Sequence, residues 1–405
     1  MQILDKFKPS RQEASKIKEE INSFVKELKK YIKNEKIIIG GSFAKDTWLK
    51  ENHDIDLFIK FNFNKFKDKD ISKILEKQLH KFKLKKIHGS RIYFQIKKNN
   101  IIYEIVPVLE IKNTNNVINV MDVSPLHSAY VIKNTNTKLK DEIRLAKIFF
   151  KANSLYGAET YKKAFSGYSI EILIIYYRSF YNLMKAASKF KNPEIIDPKN
   201  HYKNKASALR LLNESKTKSP LILIDPVQKD RNITAVLSVN NFNKFIKLAK
   251  SYLKNKSNKF FIKKETNILK LKNYILIEIV PINKNRNVLG GKLTRSLEYI
   301  KDYLNREGFI VKNYDWKWNS KVYFWFRLKN ENLPLKKKHF GPKIRDEINI
   351  KKFKEKWKNH KFSIEKGKIY VYASRRFTNS IDFINCILKD EFLKRIFKQT
   401  KVKKL

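Results

Sequence analysis

The stretch Ile37-Ile38-Ile39-Gly40-Gly41-Ser42, followed by Asp54-Ile55-Asp56-Leu57-Phe58, constrains the fold more than any other part of the chain. The isoleucine run reads as a short buried strand stopped by two glycines, and residues 42–49 read as a short helix opening at that turn. Residues 54–61 alternate well enough for a second strand. Side chains two apart on a strand share a face, so Asp54 and Asp56 stand side by side. Two neighbouring carboxylates repel each other unless a cation lies between them, and Mg²⁺ is commonly held by carboxylates together with substrate phosphates. Glu104, in Ile101-Ile102-Tyr103-Glu104-Ile105-Val106, is a charge inside an apolar strand and is the candidate third ligand. A Gly-Ser turn offers backbone N–H groups and a hydroxyl to an anion, and Lys45, about one helical turn beyond Ser42, adds charge toward the same phosphates.

The flanking pattern is mixed. Ser10-Arg11-Gln12-Glu13 is a capping box ahead of an amphipathic helix that carries Ile17, Ile21, Phe24, Leu28 and Ile32. Ile71, Ile74, Leu75 and Leu79 mark another helix. Residues 92–96 and 101–106 flank Lys97-Lys98-Asn99-Asn100 as a hairpin. From about Leu139 the pattern turns helical, with Ser166-Gly167 opening a further helix. A basic stretch around Phe260-Phe261 marks a boundary, and those two rings read as core. The last block reads as strand 274–282, helix 293–305, strand 322–328, a helix through Phe353 and Trp357, strand 369–372 and a final helix from Ile381. Strand-helix-strand units on one sheet face have the form of ferredoxin-like, RNA-binding folds, an analogy at the level of fold.

Composition narrows the partners. A chain of 405 residues suits two or three domains, and 89 Lys+Arg against 39 Asp+Glu give a net charge of +50. Such a field favours polyanions, nucleic acid foremost, although a lysine-rich background explains part of the excess. One cysteine, Cys386, excludes an internal disulfide and a cysteine-based zinc site and reads as a structural thiol. The longest apolar run, residues 172–177, is too short for a bilayer, so a cytoplasmic protein without membrane contact is expected.

Gly-Ser, a short helix, Asp-x-Asp on a strand and a later strand carboxylate, in that order, form the signature of the polymerase-beta-like nucleotidyltransferases. Within that superfamily, Gly41-Ser42-Phe43-Ala44-Lys45-Asp46-Thr47-Trp48-Leu49 with Asp54-Ile55-Asp56 resembles the class I, archaeal-type CCA-adding enzymes. The resemblance continues in order through Ser124-Pro125-Leu126-His127, Arg144-Leu145-Ala146-Lys147, Lys151-Ala152-Asn153, Tyr156-Gly157-Ala158-Glu159, Phe165-Ser166-Gly167-Tyr168, Asp225-Pro226-Val227 with Arg231-Asn232, and Phe340-Gly341-Pro342. It implies template-independent addition of CCA to the 3′ end of tRNA from CTP and ATP, with Mg²⁺ on Asp54, Asp56 and Glu104. Ser42 and Lys45 would meet the triphosphate. His127, Lys147 and Tyr156 would line the nucleotide pocket, and Arg231 would read the base edge with the RNA backbone.

The expected architecture is α+β: a nucleotidyltransferase domain over 1–138, a helical central domain over 139–255, and a C-terminal α+β, ferredoxin- or RRM-like RNA-binding region over 256–405. Two positions depart from the family. Glu104 stands where Asp is usual, and Lys45 where Arg is common, which keeps the charge but loses the bidentate fork. Plainer readings stand beside these. His53 reads as a loop histidine, His127 as a satisfied structural one, Lys147 as a solvated lysine, Tyr156 as core and Arg231 as a loop cap. Arg375-Arg376 and Lys401-Val402-Lys403-Lys404 read equally as solvated surface or as RNA contacts. A poly(A) polymerase or other terminal transferase, or an inactive RNA-binding homologue, is the alternative function. A homodimer is left open.

Overall fold

A computed structural model describes residues 2–50, 54–263, 267–268, 271–282 and 286–405. His53 lies outside them. The chain forms two compact units, 1–264 and 265–405.

After a short helix, Gln2–Phe7, the first unit carries α1 (Arg11–Leu28), whose Ser10 cap and Glu13 form the expected capping box. Its apolar stripe, Ile21, Phe24 and Leu28, packs on a five-stranded sheet. The strands are β1 (Lys36–Ile39), β2 (Asp54–Asn62), β3 (Lys85–Ile87), β4 (Tyr93–Lys98) and β5 (Ile101–Glu110), in the order β1-β2-β5-β4-β3. Only β2 and β5 run parallel, and their register sets Asp56 opposite Glu104. Between β1 and β2 lies α2 (Gly41–Ala44). It is a single turn rather than the helix expected over 42–49, because Asp46 takes a positive φ of 51° and the Thr47 N–H bonds back to the Ser42 carbonyl at 2.9 Å. The hairpin β4–β5 is tighter than expected. Lys98 pairs with Ile101, and Asn99 and Asn100, both at positive φ, make the whole turn. A further helix, α3 (Ile71–Gln78), covers the same face of the sheet as α1.

Helical structure begins earlier than residue 139, with α4 (Ser124–Lys133), and continues through α5 (Thr137–Ala152), α6 (Gly167–Tyr177) and α7 (Phe180–Ala187). Two short parallel strands, β6 (Glu194–Ile196) and β7 (Leu221–Leu223), precede α8 (Val239–Lys254). Their core is dense in aromatics. Phe149, Phe150, Phe165, Phe180 and Phe245 are buried together, and Phe261 packs edge-on against Phe149, so the Phe260-Phe261 pair belongs to this core. Helix α6 is apolar nearly all round, as suits a helix whose residues 169–175 are all buried. The one charge within it is Glu171, fully buried.

The second unit holds β8 (Ile275–Pro281), α9 (Arg286–Glu307), β9 (Val311–Trp318), β10 (Val322–Leu328), β11 (Lys336–Lys343), α10 (Glu347–Lys356), β12 (Phe362–Glu365), β13 (Lys368–Ser374), α11 (Ser380–Ile387) and β14 (Phe397–Lys404). The expected final helix is therefore followed by a one-turn helix, Glu391–Lys394, and a strand. The sheet order β14-β8-β10-β9 is antiparallel throughout. With α9 and α11 as its crossings, this is a β-α-β-β-α-β split arrangement. Strands β11, β12 and β13 form a separate three-stranded sheet inserted between β10 and α11. Arg375 is structural here: its Nη1 donates to the Glu307 carbonyl at 2.6 Å. Cys386 is a free, half-buried thiol. Among the described residues no helix is long and apolar enough to cross a membrane.

Candidate active site

The strand-turn-strand motif folds back on itself. The Gly40 N–H donates to the Asp56 carbonyl at 2.8 Å, tying the glycine turn to β2. Gly41 sits at φ 59°, and a Cβ there would collide with the Asp56 carboxylate. Glycine is required twice over, by the backbone angle and by the close approach.

A cavity of about 310 Å³ opens above this turn, lined by Gly41, Ser42, Lys45, Asp54, Asp56, Glu104, Lys147, Tyr156, Gly167, Tyr168 and Glu171. Seven of the nine residues expected at the site meet here: Ser42, Lys45, Asp54, Asp56, Glu104, Lys147 and Tyr156. His127 lines an adjoining cavity of about 270 Å³, which shares Gly41, Lys45, Asp56, Glu104 and Tyr168 with the first. Arg231 lines neither but reaches the His127 ring, with Nη1 3.2 Å from Nε2.

The floor is acidic. Burial pushes the Asp56 carboxyl up to about 6; the neighbouring Asp54 adds to the rise and Lys45 partly offsets it. Burial also pushes Glu104 up to about 7, with repulsion from Asp56 adding to it, although Glu104 accepts a hydrogen bond from Gln95 Nε2 at 2.7 Å. These are carboxylates short of countercharge. Among the described residues no three His, Cys, Asp or Glu side chains converge on a single point that would cage a cation. A hard divalent ion does not need that cage, because Mg²⁺ takes one or two carboxylates and completes its shell with water and substrate phosphate oxygens. The donor set is all oxygen and its charge is uncompensated, so it fits such an ion. The cavity as a whole carries four carboxylates against two ammonium groups, an excess of two negative charges when all are ionised. A polyphosphate enters such a site favourably only with cations.

The opposite wall carries a residue that the sequence reading missed. Glu171 lies wholly inside, with Lys45 Nζ 2.6 Å from Oε2 and Lys147 Nζ 2.7 Å from Oε1. The Thr47 hydroxyl donates to Oε1 at 2.8 Å. Burial raises the carboxyl, but Lys147 and Lys45 outweigh it and hold Glu171 well below the ordinary carboxylate range. Lys147 is in turn pulled down to about 8 by burial, against the pull of Glu171. A lone acid in an apolar helix was the available signal, the same one that singled out Glu104.

A second missed acid organises the His127 side. Asp225 is fully buried and accepts from the Tyr168 hydroxyl (3.0 Å), the Val227 N–H (2.9 Å) and Arg231 Nη1 (3.3 Å), while His127 Nε2 lies 2.8 Å from its Oδ2. Burial lowers the His127 pKa despite this partner, which favours the neutral ring. The ring also lies against Tyr168, with centroids 4.3 Å apart. Arg144, buried on α5, bonds Asp46 and the Trp48 carbonyl (3.2 Å) and so fixes the loop that carries Lys45 and Thr47.

Fold and site together define a nucleotidyltransferase. Residues 18–127 match the nucleotidyltransferase domain family, residues 141–262 the second domain of tRNA nucleotidyltransferase, and residues 280–396 the C-terminal domain of CCA-adding enzyme. The CCA-adding enzyme of Nanoarchaeum equitans is 35% identical over 92% of this chain and 93% of its own length. That of Sulfurisphaera tokodaii is 30% identical over 93% and 88%, respectively. The chain belongs to the CCA-adding enzymes. In fold, the solved Cid1 poly(U) polymerase bound to MgATP aligns with a TM-score of 0.51 at 15% identity, covering 65% of this chain and 97% of that one.

Proposed function

We propose that the chain completes tRNA 3′ ends, adding C, C and A from CTP and ATP with release of pyrophosphate. The observation that carries the chemistry is the in-register pair Asp56 and Glu104, with Asp54 beside them, facing one cavity with their charge uncompensated. Asp54, Asp56 and Glu104 would hold the divalent cations, with Mg²⁺ the natural choice for oxygen donors. When bound, such ions lower the pKa of an attacking hydroxyl and offset charge on the phosphates. The chain's own groups do the rest. Lys45 presents an ammonium to the phosphates, and Ser42 a hydroxyl. Tyr156, half-buried beside Gly167, closes the wall, and His127, its ring held by Asp225, borders the space beyond. Glu104 suits the position usually held by Asp, since its Gln95 bond fixes the longer side chain.

The division of labour is a catalytic part over 1–138, a helical part over 139–255 and a basic C-terminal part over 256–405 that holds tRNA by phosphate contacts and shape. The net charge of +50 supports it. The working form is cytoplasmic, and a homodimer is open to direct test by light scattering. The deciding experiment incubates tRNA lacking its 3′ end with Mg²⁺, CTP and ATP. Addition of C, C, A and then arrest is expected. A long A or U tail would overturn the reading in favour of another terminal transferase, and no incorporation would favour an inactive RNA-binding homologue.

A further inference from the structure

Lysines at a polyphosphate site are ordinarily read as ligands, yet the two here are not equivalent. Lys147 has three N–H donors, and all three are committed: to Glu171 Oε1 (2.7 Å), to the Thr47 hydroxyl (2.8 Å) and to the Thr47 carbonyl (3.1 Å). Lys45 gives one N–H to Glu171 and borders both cavities. Glu171 has no solvent-exposed surface at the cavity wall, its oxygens are taken by Lys45, Thr47 and Lys147, and it sits on α6 rather than on the strands of Asp54, Asp56 and Glu104.

We infer that Glu171 is a positioning residue for the nucleotide's phosphates: it anchors Lys45 at the cavity wall with N–H groups left to give, and it keeps Lys147 as a charged strut. The physical argument is one of geometry and charge. A free lysine has four rotatable bonds, and ordering it on binding costs affinity, so an ammonium already fixed binds phosphate more tightly. Buried Lys147 holds its proton most readily while Glu171 faces it, so neutralising Glu171 uncharges both partners with little net change at the wall, and what the phosphates lose is the anchored Lys45 ammonium. Sequence alone could not separate the two lysines, because each occupies a matching motif. The network that separates them joins Lys45, Thr47, Lys147 and Glu171, residues up to 126 positions apart.

This inference rests on the reading of the cavity as a nucleotide site, but its test does not depend on the RNA acceptor. The full-length Glu171→Gln protein is titrated with MgATP and with MgCTP by calorimetry, and steady-state KM and kcat are measured with tRNA. The dissociation constants should rise about tenfold and the KM for nucleotide with them, while kcat and the KM for tRNA stay within about threefold. In a Lys45→Met background the same substitution should add less than about twofold. If Glu171→Gln does not fold, the charge-balanced Glu171→Gln/Lys147→Met protein replaces it, with the same rise expected. Unchanged or tighter nucleotide binding, a fall in kcat alone, or independent multiplication with Lys45→Met would overturn the inference. Wild-type protein that binds MgATP but adds nothing to tRNA would instead overturn the function proposed above.

Discussion

Asp56 and Glu171 face the same cavity, yet their surroundings are opposite. Asp56 sits with two other carboxylates, and its pKa is pushed up to about 6. Glu171 sits between two ammonium groups and a hydroxyl, and its pKa is held well down. One wall is unfinished as protein, with charge awaiting a partner from solution. The other is complete within the chain. Burying an ion costs several kcal/mol unless it is paired, so each wall reveals its partner by what it lacks or has. The contrast teaches that an acid in a cavity is not a metal ligand by position alone. What decides is whether the protein has already neutralised it.

The largest expected effect is on the unfinished wall. If Asp56 holds a cation as proposed, Asp56→Asn should lower CTP incorporation roughly a thousandfold, while tRNA binding by gel shift stays unchanged. Activity within tenfold of wild type would break the contrast. On the finished wall, Lys147→Met leaves Glu171 short of a partner and should cost about 3 kcal/mol of stability at pH 7. The Glu171 carboxyl is depressed, so stabilisation by its partners is fully present above its ordinary value of 4.5 and is lost as pH falls toward 2. Thermal melts of both proteins should therefore converge in acid, and a penalty independent of pH would count against the ion pair as its cause.

The third effect is smaller and of opposite sign. Because the Asp56 pKa is raised, the folded, metal-free protein loses stability as pH climbs from 3.8 through 6. Asp56→Asn should then be more stable than wild type by about 2 kcal/mol at pH 8 in EDTA, with partial exposure discounted, and no more stable below pH 4. A destabilised Asn variant at pH 8 would show that Asp56 is not short of countercharge. The smallest effect serves as reference. The Lys403–Glu278 pair has the same chemistry at 2.8 Å on the open surface. Lys403→Ala should change stability by less than about 1 kcal/mol, and a larger loss would mean that pairing rather than burial sets these energies.

The same contrast explains what could be read in the chain. The strand, glycine turn and second strand were legible because glycine pairs and isoleucine runs are local signals, and the capping box of α1 likewise. Asp54 and Asp56 could be read as a pair from their spacing of two on a strand, and Glu104 as a candidate because a charge amid apolar strand residues is conspicuous. On the finished wall Lys45 and Lys147 were legible and Glu171 carried a local signal, but their pairing was not, since it joins three separate segments that only folding brings together. Asp225 stood in a quoted motif, but nothing local tied it to His127, Tyr168 or Arg231. In the second unit, β14 reads FKQTKVKK, β11 KKKHFGPK and β9 VKNYDWKW. All three are edge strands, where lysine discourages pairing with other chains and the solvent-facing positions hide the period of two. Central β10, VYFWFRL, was read with its bounds intact.

The pairing of Asp56 with Glu104 across β2 and β5 has a consequence for how such a gene can drift. Tyr103, next to Glu104, is buried against Phe24, with ring centroids 4.1 Å apart. Because side chains alternate, a one-residue insertion within β5 would swap the two, sending an acid into the aromatic core and a phenol into the cavity. Length changes in this half of the molecule are therefore confined to its connecting loops, and inside these two strands the sequence can change only by substitution.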